Sequence, residues 1–207
     1  MSGERAGAMA EMAEMAASAW IVRWSHLVSP GATVLDVAAG SGRHARWFAA
    51  RGQRVVALER DPAALAALGQ LEGVEPVAAD LEDGSPWPFP DAVRFEAVVV
   101  THYLHRPLLP RLVASVAPGG VLLYETFGQG NETIGKPSNP AFLLAPGELL
   151  DAVRGTLRVI AFEDGYTALP RPAFVQRLCA VREAESVRDA VGGAGATPGQ
   201  PRYDLSG

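Results

Sequence analysis

This sequence is short of the features that mark specialised protein classes. A single cysteine, Cys179, in 207 residues excludes an intrachain disulfide. No Cys/His cluster has metal-site spacing either, so no metal is expected. No stretch approaches the roughly 18 consecutive apolar residues that cross a bilayer. Positive charge is scarce as well: 18 Lys plus Arg against 23 Asp plus Glu leave a net charge of −5. An acidic chain has no general attraction for phosphate backbones, which disfavours nucleic acid as a partner while leaving a local basic patch open. Three acids and one arginine stand before Trp20, unlike a signal peptide, and the expected compartment is the cytoplasm.

What is present is an ordinary globular composition, 48% apolar and 20% charged, in a length that suits one domain. Residues 1–8 and 186–207 read as flexible tails, the second rich in Gly, Ala and Pro, and 9–185 as the domain. A helix is expected over 9–28, with Trp20, Ile21, Trp24 and Leu27 on one face. Strand patterns at 33–38, 54–59, 74–80, 95–101 and 121–127 alternate with helix patterns at 42–51, 62–71, 107–116 and 146–153. The strands at 158–167 and 173–182 lie too close together for a parallel crossover and should form an antiparallel hairpin. Cys179 falls in the second of these and is expected as buried packing. The fold expected is α/β: a doubly wound, Rossmann-like seven-stranded sheet of five parallel strands plus a C-terminal antiparallel hairpin.

In such a sheet, ligands lie outside the carboxyl ends of the strands. The stretch VLDVAAGSGRHARWF (34–48) places Asp36, Gly40 and Gly42 there. The glycines let backbone approach a ligand, and the following helix presents free N–H groups. Its G-x-G-x-x-A fits a dinucleotide fingerprint and an S-adenosylmethionine (SAM) loop equally well. Glu59, 19 residues after Gly40, ends the second strand and can accept both ribose hydroxyls under either reading. The third strand separates the two. Asp80 can accept an adenine amino group, and the N–H of Leu81 can meet a ring nitrogen. Acids after three consecutive strands suit a sulfonium cation better than the pyrophosphate of NAD, which they would repel.

The segments LDVAAGSGR, ALERD, AADLED, FEAVVVTHYLHRP and APGGVLLYETF together resemble the class I SAM-dependent methyltransferases over about residues 18–183. GSGRHARWFAARG is similar to the tellurite-resistance-type and type-11/12 groups, and GNETIGKPSNPAFLLAPGELL to an uncharacterised bacterial subgroup. One departure is Ala38, where the loop D-x-G-x-G-x-G has its first glycine. Alanine disfavours positive φ, so ordinary backbone is expected there. The resemblance implies an enzyme with SAM as cofactor. Asp36 would hold its amino group, directly or through water, and Ala38, Gly40 and Gly42 its methionine part. Glu59 and Arg60 would hold the ribose, Asp80 and Leu81 the adenine, and Thr101 and His102 would sit beside the sulfonium. The alternatives are a SAM-binding protein without turnover and an NAD-linked Rossmann protein.

Methyl transfer needs alignment and exclusion of water, and a base only where the acceptor must lose a proton. The catalytic candidates are His102 and Tyr103; His105, Glu125, Asn131 and Lys136 are expected on the substrate side. His44 is expected to be structural or a neighbour of the cofactor carboxylate. The fourth strand is followed by THYLH, not by the D/N-P-P-Y/F run of amino-methylating nucleic-acid enzymes, and no Pro-Cys nucleophile exists for C5-cytosine chemistry. No paired acids with an asparagine point to a metal-dependent catechol site. A small-molecule acceptor is therefore expected, a tellurium or thiol anion among the choices, with tRNA or a protein side chain as the remaining ones. The segment 128–146 is expected to be a glycine-hinged lid, anchored by Phe142, Leu143 and Leu144. Nothing in the sequence sets an oligomeric state.

Overall fold

The computed structural model describes residues 16–184 and 202–206. The expected tail 1–8, residues 9–15 of the expected first helix, and 186–201 and 207 of the second tail lie outside them. Helix α1 (Ala19–Trp24) begins where the Ser18 hydroxyl accepts the Trp20 N–H at 3.1 Å, and it tightens into a 3₁₀ turn at Ser25–Leu27. The expected helix over 9–28 is thus not helical at residues 16–18, and the Ser18 cap starts α1 just before the apolar face of Trp20, Ile21 and Trp24.

The remaining elements follow the expected alternation. They are β1 (Thr33–Val37), α2 (Arg43–Ala49), β2 (Arg54–Glu59), α3 (Pro62–Leu68) and β3 (Val74–Ala78). Then come β4 (Phe95–Thr101), α4 (Leu109–Ala114), β5 (Val116–Phe127), α5 (Glu148–Val153), β6 (Arg158–Thr167) and β7 (Ala173–Val181). Asp61 caps α3 by accepting the Ala64 N–H at 2.8 Å, with Pro62 in the first turn. Strand β5 begins at Val116 and not at 121: Phe95 pairs with Val116 but Ala97 with Val121, so Ala117–Gly120 bulge out of an otherwise regular ladder. That bulge takes the residues expected to end the preceding helix, which closes at Ala114.

The sheet order is β3-β2-β1-β4-β5-β7-β6, with β1 to β5 parallel and β7 antiparallel to both β5 and β6. Alternation along each strand sends side chains to opposite faces. Leu35, Val37, Val98, Val100, Leu122 and Tyr124 meet Leu112 and Val113 of α4 and Leu149 of α5 on one face. Val34, Ala57, Val99, Leu123 and Cys179 meet Trp20, Ile21 and Trp24 of α1 and Phe48 of α2 on the other. Cys179 is fully buried, and burial pushes its thiol pKa up to about 12, so it is packing and not a nucleophile.

The described part of the C-terminal stretch lies against this second face. Tyr203 packs beneath Arg158, the Leu205 carbonyl accepts from Arg23 at 2.9 Å, and His26 meets the Asp204 carbonyl at 3.1 Å. Among the described residues no helix is long and apolar enough to cross a membrane, and no cluster of potential metal ligands occurs. The strand order reverses between β1 and β4, and that crevice is where a ligand should enter.

Candidate active site

The turn after β1 takes left-handed backbone three times, at Ala38 (φ 53°), Gly40 (φ 53°) and Gly42 (φ 76°). Ala38 thus corrects the expectation of ordinary backbone there. The strain, about 1–2 kcal/mol for a residue with a Cβ, is held by hydrogen bonds from Ala39 N–H to the Leu58 carbonyl and from Gly42 N–H to the Ala39 carbonyl, each 2.9 Å. The two glycines serve different ends. A Cβ at Gly42 would overlap Leu68 of α3, so this residue lets α2 and α3 pack. A Cβ at Gly40 would meet nothing within 4 Å, so no neighbouring side chain crowds it.

Glu59, at the end of β2, fastens this turn. One oxygen accepts the Gly40 N–H at 2.7 Å; the other accepts the N–H groups of Arg60 and Asp61 at 2.8 and 2.9 Å. A carboxylate offers about four acceptor positions, so Glu59 has room for one more donor without releasing a backbone partner. Beyond β3, Asp80 accepts the Glu82 N–H at 3.0 Å and faces Arg60 at 3.4 Å. Together Ala38, Leu58, Glu59, Arg60, Ala79, Asp80, Leu81, Glu82 and Tyr103 line one cleft of about 180 Å³. Tyr103 therefore stands with the expected cofactor residues. Its hydroxyl is buried beside Glu82, and burial, then the facing Glu82 and Asp80 charges, hold it protonated.

Asp36 lies beneath the turn, 1% exposed. One side of its carboxylate takes the Ala45 N–H, while Oδ2 has no partner. Burial raises its pKa to about 7, against the smaller pull of the Ala45 N–H and of Arg43. Its orphaned oxygen fits a cationic group above the turn, reached through the turn or a bridging water. His44 is equally buried, accepts the Ser18 N–H on Nε2 at 3.2 Å, and meets the Thr101 hydroxyl through Nδ1 at 3.3 Å. Burial lowers its pKa to about 3, so it is a neutral structural tie that also occupies Thr101.

A second, wider cavity of about 620 Å³ opens on the other side of the β1 turn. It is walled by Ala16–Trp20, Arg43, His102, Glu125, Phe127 and residues of the β6–β7 hairpin, with Arg23, Arg171 and Arg177 among them. His102, in left-handed backbone (φ 52°), stacks on Phe127 at 4.9 Å with Nδ1 at 3.4 Å from Arg43. Withdrawal of its ring from water against Phe127, then the Arg43 charge, hold its pKa below the usual imidazole range. Glu125, 6% exposed, is bound by Arg177 at 3.0 Å and by the Ser18 hydroxyl. Arg177 also holds Glu163 at 2.9 Å. A larger groove of about 760 Å³ runs between α4 and α5 and carries none of the expected residues.

The segment 128–146 forms one side, its roof, of a smaller opening of about 520 Å³ lined by His102, Phe127, Lys136–Asn139, Phe142 and Arg171, and His102, Phe127 and Arg171 line the wide cavity too. It carries two 3₁₀ turns, Asn131–Thr133 and Pro140–Phe142. Leu143 and Leu144 anchor it in the core, but Phe142 is 45% exposed and does not, which corrects that expectation. Arg106 does the remaining anchoring, pairing with Glu148 at 2.7 Å and donating to the Ala141 and Leu143 carbonyls. Asn131 is 2% exposed, its side chain bonded to the Pro137 carbonyl and the Phe174 N–H, so it ties the roof to β7 from inside. His105 precedes the 3₁₀ turn Arg106–Leu108, its carbonyl accepting the Leu108 N–H, and lines neither cavity.

Sequence reasoning placed Glu59, Asp80 and Leu81 together correctly but missed Arg43, Arg171, Arg177 and Ser18. The Glu125–Arg177 pair was within reach, since the antiparallel β5–β7 register sets the two side by side. Ser18 and Arg171 come from an N-cap and a hairpin turn, which no periodicity announces.

A family model described as a methyltransferase domain matches residues 34–120. Trans-aconitate 2-methyltransferase of Paracidovorax citrulli (strain AAC00-1) is 30% identical over 149 residues, 69% of this chain and 57% of that protein. Malonyl-[acyl-carrier protein] O-methyltransferase of Serratia marcescens is 33% identical over 106 residues, 49% of this chain and 41% of that one. The chain thus spans about half the length of these curated relatives. A TehB-like SAM-dependent methyltransferase of Corynebacterium glutamicum shares the fold, with a TM-score of 0.56 at 16% identity over 88% of this chain and 98% of that one.

Proposed function

We propose that this chain, part of which matches a methyltransferase domain, is a class I SAM-dependent methyltransferase that moves a methyl group from SAM to a small-molecule acceptor held in the wide cavity. The observation that carries this reading is the single cleft lined by Ala38 of the β1 turn, Glu59, Asp80 and Leu81, with the orphaned Asp36 oxygen on the strand that leads into that turn. Those acids oppose a pyrophosphate and favour a cation. Glu59 would take a ribose hydroxyl, Asp80 and the Leu81 N–H the adenine, and Asp36 the amino group. SAM, when bound, supplies a methyl group on a sulfonium whose thioether leaves without a proton.

The chain's own residues align and enclose. Phe127 and His102 wall both the wide cavity and the smaller opening beside it, and the 128–146 segment over that opening would exclude water once it closes on the acceptor. The name of the Paracidovorax relative gives trans-aconitate as its substrate, which supports a small molecule as acceptor here. A cytoplasmic setting is supported by a lone cysteine that is buried as a free thiol. Calorimetry with SAM, S-adenosylhomocysteine and NADH tests the reading. The first two should bind and NADH should not; binding of NADH without SAM overturns it.

A further inference from the structure

We propose that the acceptor is a small acid with more than one carboxylate, methylated on a carboxylate oxygen without a general base. This rests on the methyltransferase reading above. The first ground is that the candidate bases around the wide cavity are already engaged. A guanidinium has only donors to offer, so the 3.4 Å contact with Arg43 assigns the lone pair of His102 to Nδ1 and its proton to Nε2. His102 thus shows the cavity an N–H, not a base. Both oxygens of Glu125 are taken, by Arg177 and by Ser18. Glu163 is held by Arg177 at 2.9 Å, and Tyr103 belongs to the other cleft. An acceptor that must shed a proton finds no group placed to receive it. A carboxylate has none to shed at neutral pH.

The second ground is charge. In a chain of net charge −5, the walls of the wide cavity and its smaller opening bring together five cationic side chains against Glu125 and Glu163. Both of those carboxylates are already paired with Arg177. Arg171 lines both spaces, and Lys136, the only lysine in the sequence, stands on the roof across the smaller opening. Neither has an ion-pair partner among the described residues. Two cations from separate loops suit a carboxylate at the far end of an acceptor, leaving a second carboxylate near the Nε2–H of His102. In the step, a carboxylate oxygen attacks the methyl carbon; the O–C bond forms as the C–S bond breaks, and its electron pair stays on sulfur. Sulfonium and carboxylate become thioether and neutral ester, and no proton is released.

The test incubates the purified full chain with methyl-labelled SAM and each of five probes: trans-aconitate, succinate, a catechol, a primary amine and an alkyl thiol. Product formation, release of labelled methanol by alkali, and proton release in weak buffer are read together. The expected result is transfer to at least one of the two acids, with label freed by alkali and no proton released. Arg171→Ala and Lys136→Ala should each raise the KM for that acid at least tenfold while leaving the SAM Kd within twofold, and Arg171→Lys should recover part of the loss. Alkali-stable label, a proton released per turnover, transfer to the non-acids alone, or wild-type KM in both alanine variants overturns the proposal. So does SAM binding with no transfer to any probe. Failure of SAM itself to bind would instead remove the methyltransferase reading beneath it.

Discussion

Asp36→Asn should steepen the rise of stability with pH. Asp36 is raised from 3.8 to about 7 in the folded chain. Between those values the native state holds a proton that the unfolded state has lost. Its contribution is therefore complete below pH 3.8 and lost as the pH rises through about 7, at about 1.4 kcal/mol per unit. His44 runs the other way. Its pKa falls from 6.5 to about 3 on folding, so its contribution is complete above pH 6.5 and lost as the pH falls toward 3. From about pH 4 to 6.5 the falling Asp36 slope opposes the rising slopes of His44 and of His102, whose pKa is lowered from 6.5 to about 4, and offsets part of their rise. Asparagine keeps an acceptor for the Ala45 N–H but cannot ionise, so it leaves the His44 slope alone. The stability difference, variant minus wild type, should then climb by about 3 kcal/mol across that window. Urea denaturation of both proteins at half-unit steps from pH 4 to 8 measures it, and all other titrating groups drop out of the difference. Parallel profiles would refute the burial and charge assignment of Asp36.

The remaining predictions concern the turn, the ion pair and the roof. Gly42→Ala should cost about 2–5 kcal/mol, from left-handed strain plus overlap with Leu68, whereas Gly40→Ala should cost only about 1–2 kcal/mol of strain and mainly weaken SAM binding. Equal losses of stability in denaturation curves would contradict the division of roles. Glu125→Ala leaves Arg177 with Glu163 as its remaining carboxylate partner and should cost about 1–3 kcal/mol, the scale of a lost hydrogen bond to a charged group; a neutral outcome would show that the pair is not closed. Asn131→Ala leaves the Pro137 carbonyl and Phe174 N–H unpaired and should cost about 1–3 kcal/mol. Unchanged stability with lost turnover would return Asn131 to the substrate side.

The alternation of strands and helices was legible because its periodicities come from burial, and β2, β4 and β6 sit on their expected residues. The strand-end acids stood out because three of them follow consecutive strands in register, and Glu59 and Asp80 line one cleft. Ala38 was misread because the hydrogen bonds of the turn, not the propensity of its residue, decide its backbone. Phe142 was misread because three apolar residues in a row do not say which of them faces inward. The acceptor side was the least legible. Arg43, Arg171 and Arg177 come from separate segments, and only the fold makes them line one cavity, with Lys136 on the opening beside it.

The central claim is that the crevice at the ends of β1, β2 and β3 holds the adenosyl part of SAM. Titration of SAM into wild type and Glu59→Ala by calorimetry tests it most directly, with a thermal melt confirming that the variant folds. Loss of the Glu59 carboxylate should weaken binding by about 1.5–3 kcal/mol, the scale of a hydrogen bond to a charged group. An unchanged Kd in a folded variant would contradict the claim.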